Sequence, residues 1–303
     1  MSLLMSEPTK VRDLIDVGHR VLADSTHIFE DHDNRREATE LLSFCLGVDE
    51  SDLDDDLVAP RRVRERYLSL VARRAAGEPF PFLVGRIEFY GLDLRVKPGP
   101  FVPRPSSELT VEWAVKRLRR RRDPVAVDVC TGAGPIAMGI ANEVPSAHVW
   151  GLDIDRDGLA QARANAKRLG IRNVRFAAGD LFAALPRSLA GAVDLITAHV
   201  PYVPPHELDD LPTEVKAFEP IHTLSDESDD GLNLMRRAVR EAPGWLESGG
   251  WALFEISEDI APDIESMFLD AGFEEVGTVS DDDRLSVVVE GRMPRRGNGP
   301  AVG

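Results

Sequence analysis

With 303 residues and 43% hydrophobic content, the chain is long enough for one large domain and a small one, and too apolar to be a disordered tail. Its formal charge of −16 opposes general adhesion to nucleic acid or to an anionic membrane. No apolar run approaches the roughly 20 residues of a membrane span, Met1 to Lys10 lacks the apolar core of a signal peptide, and Cys45 and Cys130 give neither a disulfide framework nor a metal-ligand set, so a cytoplasmic, metal-free protein is expected.

Residues from about 9 to 75 read as helices. Val11, Leu14, Ile15, Val17 and Leu22 recur at helical spacing, and Ala38, Leu41, Leu42, Phe44, Cys45 and Leu46 do so again before Gly47. A third helical segment, Val63 to Ala76, ends at Gly77 with Pro79 and Pro81 beyond it. Between Phe82 and Pro105 the pattern turns extended, at Glu88 to Tyr90 and Leu92 to Val96, as expected of a hairpin linker. Lys116, Arg117, Arg119, Arg120, Arg121 and Arg122 form a basic run that reads first as a solvated helix end, whose cations oppose the negative C-terminal dipole, and otherwise as a landing patch for RNA or an acidic partner.

From Val125 onward strands and helices alternate: Val125–Val129, a helix from Pro135, His148–Leu152, a helix from Gly158 to Leu169, Val174–Ala177 and Asp194–Ala198. That order predicts a doubly wound α/β domain, a parallel sheet with helices on both faces. After an acidic insertion, Pro204 to Asp230, a helix is expected from Leu232 to Leu246, a strand at Trp251–Ile256, and a helix near Pro262–Ala271. Phe273–Val279 and Leu285–Glu290, separated by Ser280, Asp281, Asp282 and Asp283, then predict an antiparallel pair at the end of the sheet. The insertion reads as a lid or partner-facing loop or as a solvated excursion, and His206 and His222 within it as surface residues. The expected organisation is a helical domain over 1–80, a β-hairpin linker over 81–108, the α/β domain over 109–292, and a disordered tail over 293–303.

Asp128, Val129, Cys130, Thr131, Gly132, Ala133 and Gly134 follow an apolar strand and open a helix, where glycines let backbone approach a ligand closely. The same residues, continued through Pro135, Ile136 and Ala137, satisfy a dinucleotide fingerprint. Asp153, ending the second strand, could bind ribose hydroxyls of a nicotinamide or of S-adenosylmethionine, and a simple glycine turn stays open as well. Two features favour S-adenosylmethionine. Asp180 follows the third strand, where a carboxylate can accept from an adenine amino group or else cap a helix. The fourth strand then runs into His199, Val200, Pro201 and Tyr202 at the sheet edge where open α/β folds place substrates.

Together these segments resemble the HemK/PrmC family of protein-(glutamine-N5) methyltransferases, from roughly Arg36 to Arg292. The resemblance is carried by Gly77-Glu78-Pro79, Phe89-Tyr90-Gly91, Val102-Pro103-Arg104-Pro105 with Glu108, Asp128 to Gly134, Val200-Pro201-Tyr202, Phe218-Glu219-Pro220, Gly231-Leu232 and Phe254-Glu255-Ile256. It implies a seven-stranded Rossmann-like class I methyltransferase domain behind a helical substrate-recognition domain, and S-adenosylmethionine as cofactor. It also implies a release factor, methylated on the glutamine of its Gly-Gly-Gln loop, as protein substrate. On this reading Arg104, Asp128, Cys130, Thr131, Gly132, Gly134, Asp153, Ile154, Asp180, Leu181 and His199 line the cofactor site, and His199, Pro201 and Tyr202 meet the acceptor.

Four positions depart from the family pattern. His199 and Val200 stand where the family has the Asn and first Pro of Asn-Pro-Pro-Tyr, Ser106 where it usually has Glu or Asp, and Cys130 where many members have glycine. In the family the asparagine oxygen and a backbone carbonyl accept the two amide N–H bonds of the glutamine, which aims a poor nucleophile at the methyl group. A neutral imidazole can supply one of those acceptors. It can also act as a general base for a different acceptor, and a histidine satisfied by backbone, or a silent cofactor-binding protein, are the plainer readings.

Overall fold

The computed structural model describes residues 9–28, 33–281 and 287–295. In chain order its helices and strands are α1 (Val11–Ala23), α2 (Asn34–Leu46), α3 (Arg61–Ala75), α4 (Phe80–Val84), β1 (Arg86–Phe89), β2 (Leu92–Arg95), α5 (Glu108–Leu118), β3 (Val125–Val129), α6 (Pro135–Glu143), β4 (His148–Asp153), α7 (Arg156–Leu169), β5 (Val174–Ala178), β6 (Val193–Ala198), α8 (Thr213–Lys216), α9 (Asn233–Glu241), β7 (Leu246–Ile256), α10 (Ala261–Asp270), β8 (Glu274–Ser280) and β9 (Val287–Arg292). They divide into two units: Met1–Arg86 with Asp209–Glu219, and Ile87–Leu208 with Pro220–Gly303.

The first unit is a helical bundle. Val11, Leu14, Ile15 and Leu22 of α1 meet Ala38, Leu41 and Leu42 of α2 and Tyr67, Leu68 and Val71 of α3 in one apolar cluster, as their spacing predicts. The buried Tyr67 hydroxyl donates to the Leu14 carbonyl at 3.1 Å, which satisfies the one polar atom that ring carries into the core. Arg74, at the end of α3, is almost completely buried. Its guanidinium donates twice to Glu37, at 2.8 and 3.1 Å, and once to Glu214 at 2.7 Å. Glu214 lies on α8 inside the acidic insertion. The insertion is therefore not one excursion: its middle, Asp209–Glu219, is part of the helical unit, held there by an ion cluster no local pattern announces.

In the second unit β1 and β2 form a two-stranded sheet, and the main sheet has the order β5-β4-β3-β6-β7-β9-β8. The first five strands pair in parallel, whereas β9 pairs antiparallel with both β7 and β8. The period-two alternation of each strand sorts its side chains onto two faces. Val127, Val129, Ile196, Ala252 and Phe254 join a core with α9 and α10. Ala126, Leu195, Trp251 and Leu253 join a second core with α5 and α6.

The expected helix from Leu232 to Leu246 ends at Glu241, and a short 3-10 turn, Ala242–Gly244, follows. Trp245 and Leu246 stay buried in the same core, so the apolar pattern runs on after Pro243 and Gly244 have ended the helix. The strand expected from Trp251 begins earlier, at Leu246, and its register with β6 shifts before Trp251. The expected tail from residue 296 on, the turn residues Asp282 and Asp283, and the start of the last predicted strand at Leu285 lie outside the described residues.

Four residues of the basic run, Lys116, Arg119, Arg120 and Arg122, are exposed at the end of α5 as a solvated helix end would be, but Arg117 and Arg121 are not. α5 stops at Leu118. Arg117 is bidentate on Glu290, at 3.1 and 2.5 Å, and lies 3.7 Å over the Trp251 ring. Arg121 is shared by Asp194 and Glu247 and donates to the Gly249 carbonyl at 2.8 Å. These two cations fasten α5 and the turn after it to strands β6, β7 and β9. Among the described residues no helix is long and apolar enough to cross a membrane, and no group of three or more His, Cys, Asp or Glu side chains is arranged to hold a metal.

Candidate active site

Parallel strands that run outward from β3, first to β4 and β5 and then to β6 and β7, leave their carboxyl ends on one rim, with the order reversing beside β3. The predicted residues fall on that rim. Cys130 follows β3, Asp153 ends β4, Asp180 follows β5, and His199 follows β6.

The loop from Cys130 to Gly134 is built by carboxylates. Asp153 accepts the Gly132 N–H at 2.7 Å on one oxygen and the Asp155 N–H at 2.8 Å on the other. Burial raises the Asp153 carboxyl above its usual range against those backbone bonds. Each oxygen keeps a second lone pair, so both can still accept from ribose hydroxyls. Gly132 and Gly134 have φ of +54° and +79°, the left-handed region. A Cβ added at Gly132 would meet nothing within 4 Å, so this side of the loop faces open space that a ligand can fill, which fits S-adenosylmethionine. At Gly134 the added atom would lie 2.8 Å from the Phe176 ring.

Cys130 and Leu181 also have positive φ, of 57° and 46°. Side-chain-bearing residues enter that region at a cost, and such strain gathers at functional rims. The value at Cys130 explains why glycine suits the position in other members of the resembled family. Burial and then the Asp153, Asp128 and Asp180 carboxylates push its thiol well up, so Cys130 stands here as a small apolar residue, not a nucleophile. Ile154 is 60% exposed, an unusual position for isoleucine, directly after Asp153 on the same rim. Asp180 caps no helix through its side chain. It accepts from Arg237 of α9 at 2.7 Å.

Asp128 sits beneath the loop, fully buried. It accepts from the Thr131 hydroxyl at 2.5 Å and from the Thr197 hydroxyl, its register partner on β6, at 2.7 Å. Burial pushes its carboxyl up to about 7 against those bonds. The sign of the consequence follows from linkage: an acid whose pKa is raised from about 3.9 on folding stabilises the fold while protonated, and that contribution is lost as pH rises toward 7. We expect urea unfolding to show stability falling from about pH 4 to about pH 7 by a few kcal/mol and levelling off above that. Asp128→Asn, which mimics the protonated acid, should flatten that slope; an unchanged slope would assign the titration elsewhere.

On the other side of the rim, His199 is one-fifth exposed. It stacks on Tyr202, with ring centroids 6.0 Å apart, and meets Phe101 edge-on at 5.6 Å. Arg104 lies 4.8 Å over the Phe101 ring, so the predicted arginine reaches the site through an aromatic that the sequence reading did not single out. Val200 is buried, Pro201 and Tyr202 are half-buried, and burial pushes the Tyr202 hydroxyl up to about 12, so it stays protonated. Behind His199 is Glu255 of β7, also missed as a site residue. Its oxygens accept from the Ser107 hydroxyl at 2.8 Å and the Thr110 hydroxyl at 3.0 Å, and one lies 3.6 Å from His199 Nδ1. A single carboxylate within an apolar strand was the signal for it.

Residues 20–85 match the PrmC N-terminal domain model and residues 122–241 a methyltransferase domain model. A release factor glutamine methyltransferase from Geobacter sulfurreducens is 37% identical over 265 residues, covering 86% of this chain and 90% of that protein. Another so named, from Bordetella pertussis, is 38% identical over 245 residues, 80% and 88% of the two chains. Among solved structures, a methyltransferase from Pyrococcus furiosus shares the fold with a TM-score of 0.51 at 17% identity, over 76% of this chain and 98% of that one. Rim, loop and relatives agree: the chain belongs to the release factor glutamine methyltransferase family and is an S-adenosylmethionine-dependent enzyme.

Proposed function

We propose that this enzyme methylates the side-chain amide of a protein glutamine, the one in the Gly-Gly-Gln loop of a peptide-chain release factor. The observation that carries the reading is the placement of His199 and Tyr202 on the same rim as the Gly132 loop and Asp153. On this reading Asp128, Cys130, Thr131, Gly132, Gly134, Asp153, Ile154, Asp180, Leu181 and Arg104 hold the cofactor. When bound, S-adenosylmethionine supplies an electrophilic methyl group and its own leaving group.

The chain's part is orientation and a proton. A carboxamide nitrogen has its lone pair delocalised, and only a fixed pose presents it to an electrophile. The acceptor nitrogen of His199 and the backbone carbonyl of His199 or Val200 take the two amide N–H bonds. Pro201 and Tyr202 shape the wall beside them, and the aromatic surface of Phe101 and Tyr202 excludes water. Residues 1–80 recognise the substrate, 81–108 link, and 109–292 carry the chemistry. A release factor as partner places the enzyme in the cytoplasm.

The test is incubation with methyl-labelled cofactor and a release factor. Label is expected in the factor and lost when its Gly-Gly-Gln glutamine is replaced by alanine. An unlabelled factor, with the cofactor shown to bind, would overturn the reading.

A further inference from the structure

The tetrapeptide after β6 carries histidine, and a buried carboxylate lies behind it. Glu255 is 3% exposed. Each of its oxygens already receives one hydroxyl, from Ser107 and from Thr110, which fixes the carboxylate plane. The oxygen that accepts from Ser107 is the one 3.6 Å from His199 Nδ1, a separation too long for a hydrogen bond and short enough to become one with a small shift of the ring. Two aromatic contacts, Tyr202 on the imidazole face and Phe101 at its edge, hold the ring in that plane.

We propose that Glu255 is a positioning residue that sets the tautomer of His199, keeping the proton on Nδ1 so that Nε2 presents its lone pair to the acceptor; this rests on the glutamine reading above. A carboxylate accepts only, so Nδ1 can face it favourably only as a donor. Nε2 is then the acceptor that takes an N–H of the substrate amide. In the transfer the nitrogen–carbon bond forms as the carbon–sulfur bond breaks, and the electron pair of that bond leaves with sulfur. The displaced amide proton passes to His199 Nε2, and the imidazolium so formed lies against the Glu255 carboxylate. An asparagine at this position could accept the N–H bond but could not take the proton, so the pair His199 and Glu255 adds a base to a site that otherwise works by orientation.

The test is a double-mutant cycle in the full-length enzyme with release factor as substrate, together with nitrogen NMR of the histidine rings. Glu255→Gln keeps the volume and can still accept from one hydroxyl, but its amide can donate to Nδ1 and so favours the opposite tautomer. We expect kcat to fall roughly ten- to a hundredfold, with KM for S-adenosylmethionine unchanged. The same substitution made on His199→Asn, where no tautomer exists, should change kcat less than about threefold. The ring of His199, assigned by its loss in His199→Ala, should carry its proton on Nδ1 in the parent and shift toward Nε2 in Glu255→Gln. Equal losses in both backgrounds, or an Nε2 proton in the parent, would overturn the proposal. The NMR arm needs no acceptor, so it decides the role of Glu255 even if release factor proves not to be the substrate.

Discussion

Arg74→Met is expected to destabilise the protein by about 3–5 kcal/mol in urea or thermal unfolding, the usual cost of removing one partner from a buried ion cluster. The arginine itself is only 1% exposed, and Glu37 and Glu214 are 13% and 9% exposed. Their charges are compensated by the same guanidinium. Methionine fills much of the volume, so the loss reports charge, not a cavity. The effect should partly reverse when Glu37→Gln and Glu214→Gln are added, since neutral amides no longer carry the desolvated charge. A change under about 1 kcal/mol would mean that water reaches this cluster and that Asp209–Glu219 is held to the helical unit by other contacts.

Substitutions at the two loop glycines should separate stability from cofactor binding. Gly134→Ala puts a Cβ 2.8 Å from the Phe176 ring and 2.9 Å from the Ala162 methyl, at φ +79°. The left-handed backbone costs an alanine about 1–2 kcal/mol and the overpacking about 1–3 more. Folding should weaken by roughly 2–5 kcal/mol in total, with cofactor affinity reduced as the loop shifts. Gly132→Ala meets no neighbour within 4 Å, so its cost is confined to the backbone, about 1–2 kcal/mol. Its methyl instead occupies the open side of the loop, and affinity for S-adenosylmethionine should drop by more than about tenfold, the effect of roughly 1.4 kcal/mol. Calorimetric titration beside thermal unfolding measures both. If Gly132→Ala binds as tightly as the parent, the cofactor does not approach this face.

Much of this architecture could be read from the residues. The strands that build the rim are short apolar runs with helices between them, and their carboxyl ends are marked by Asp128, Asp153, Asp180 and His199. The dependable signals were local ones: a strand, then a glycine loop, then a helix. What escaped depends on distance along the chain. Glu214 meets Arg74 across 140 positions and Ser107 meets Glu255 across 148, and no periodicity reports such pairs. The end of α9 was misplaced for a different reason. Trp245 and Leu246 remain in the core whether the backbone is helical or extended, so hydrophobicity alone extended the helix past Pro243. Arg117 and Arg121 looked like solvent-facing charge because their carboxylates sit on strands β6, β7 and β9, far away in sequence.

On the proposed function, one rim of the sheet brings a methyl donor and a glutamine amide together, with His199 aiming the nitrogen. Tandem mass spectrometry of the release factor after reaction tests it most directly, because it locates the new methyl group to an atom. One methyl is expected on the side-chain nitrogen of the Gly-Gly-Gln glutamine. A methyl on a carboxylate, a hydroxyl or a lysine of the factor, with that glutamine unmodified, would contradict it.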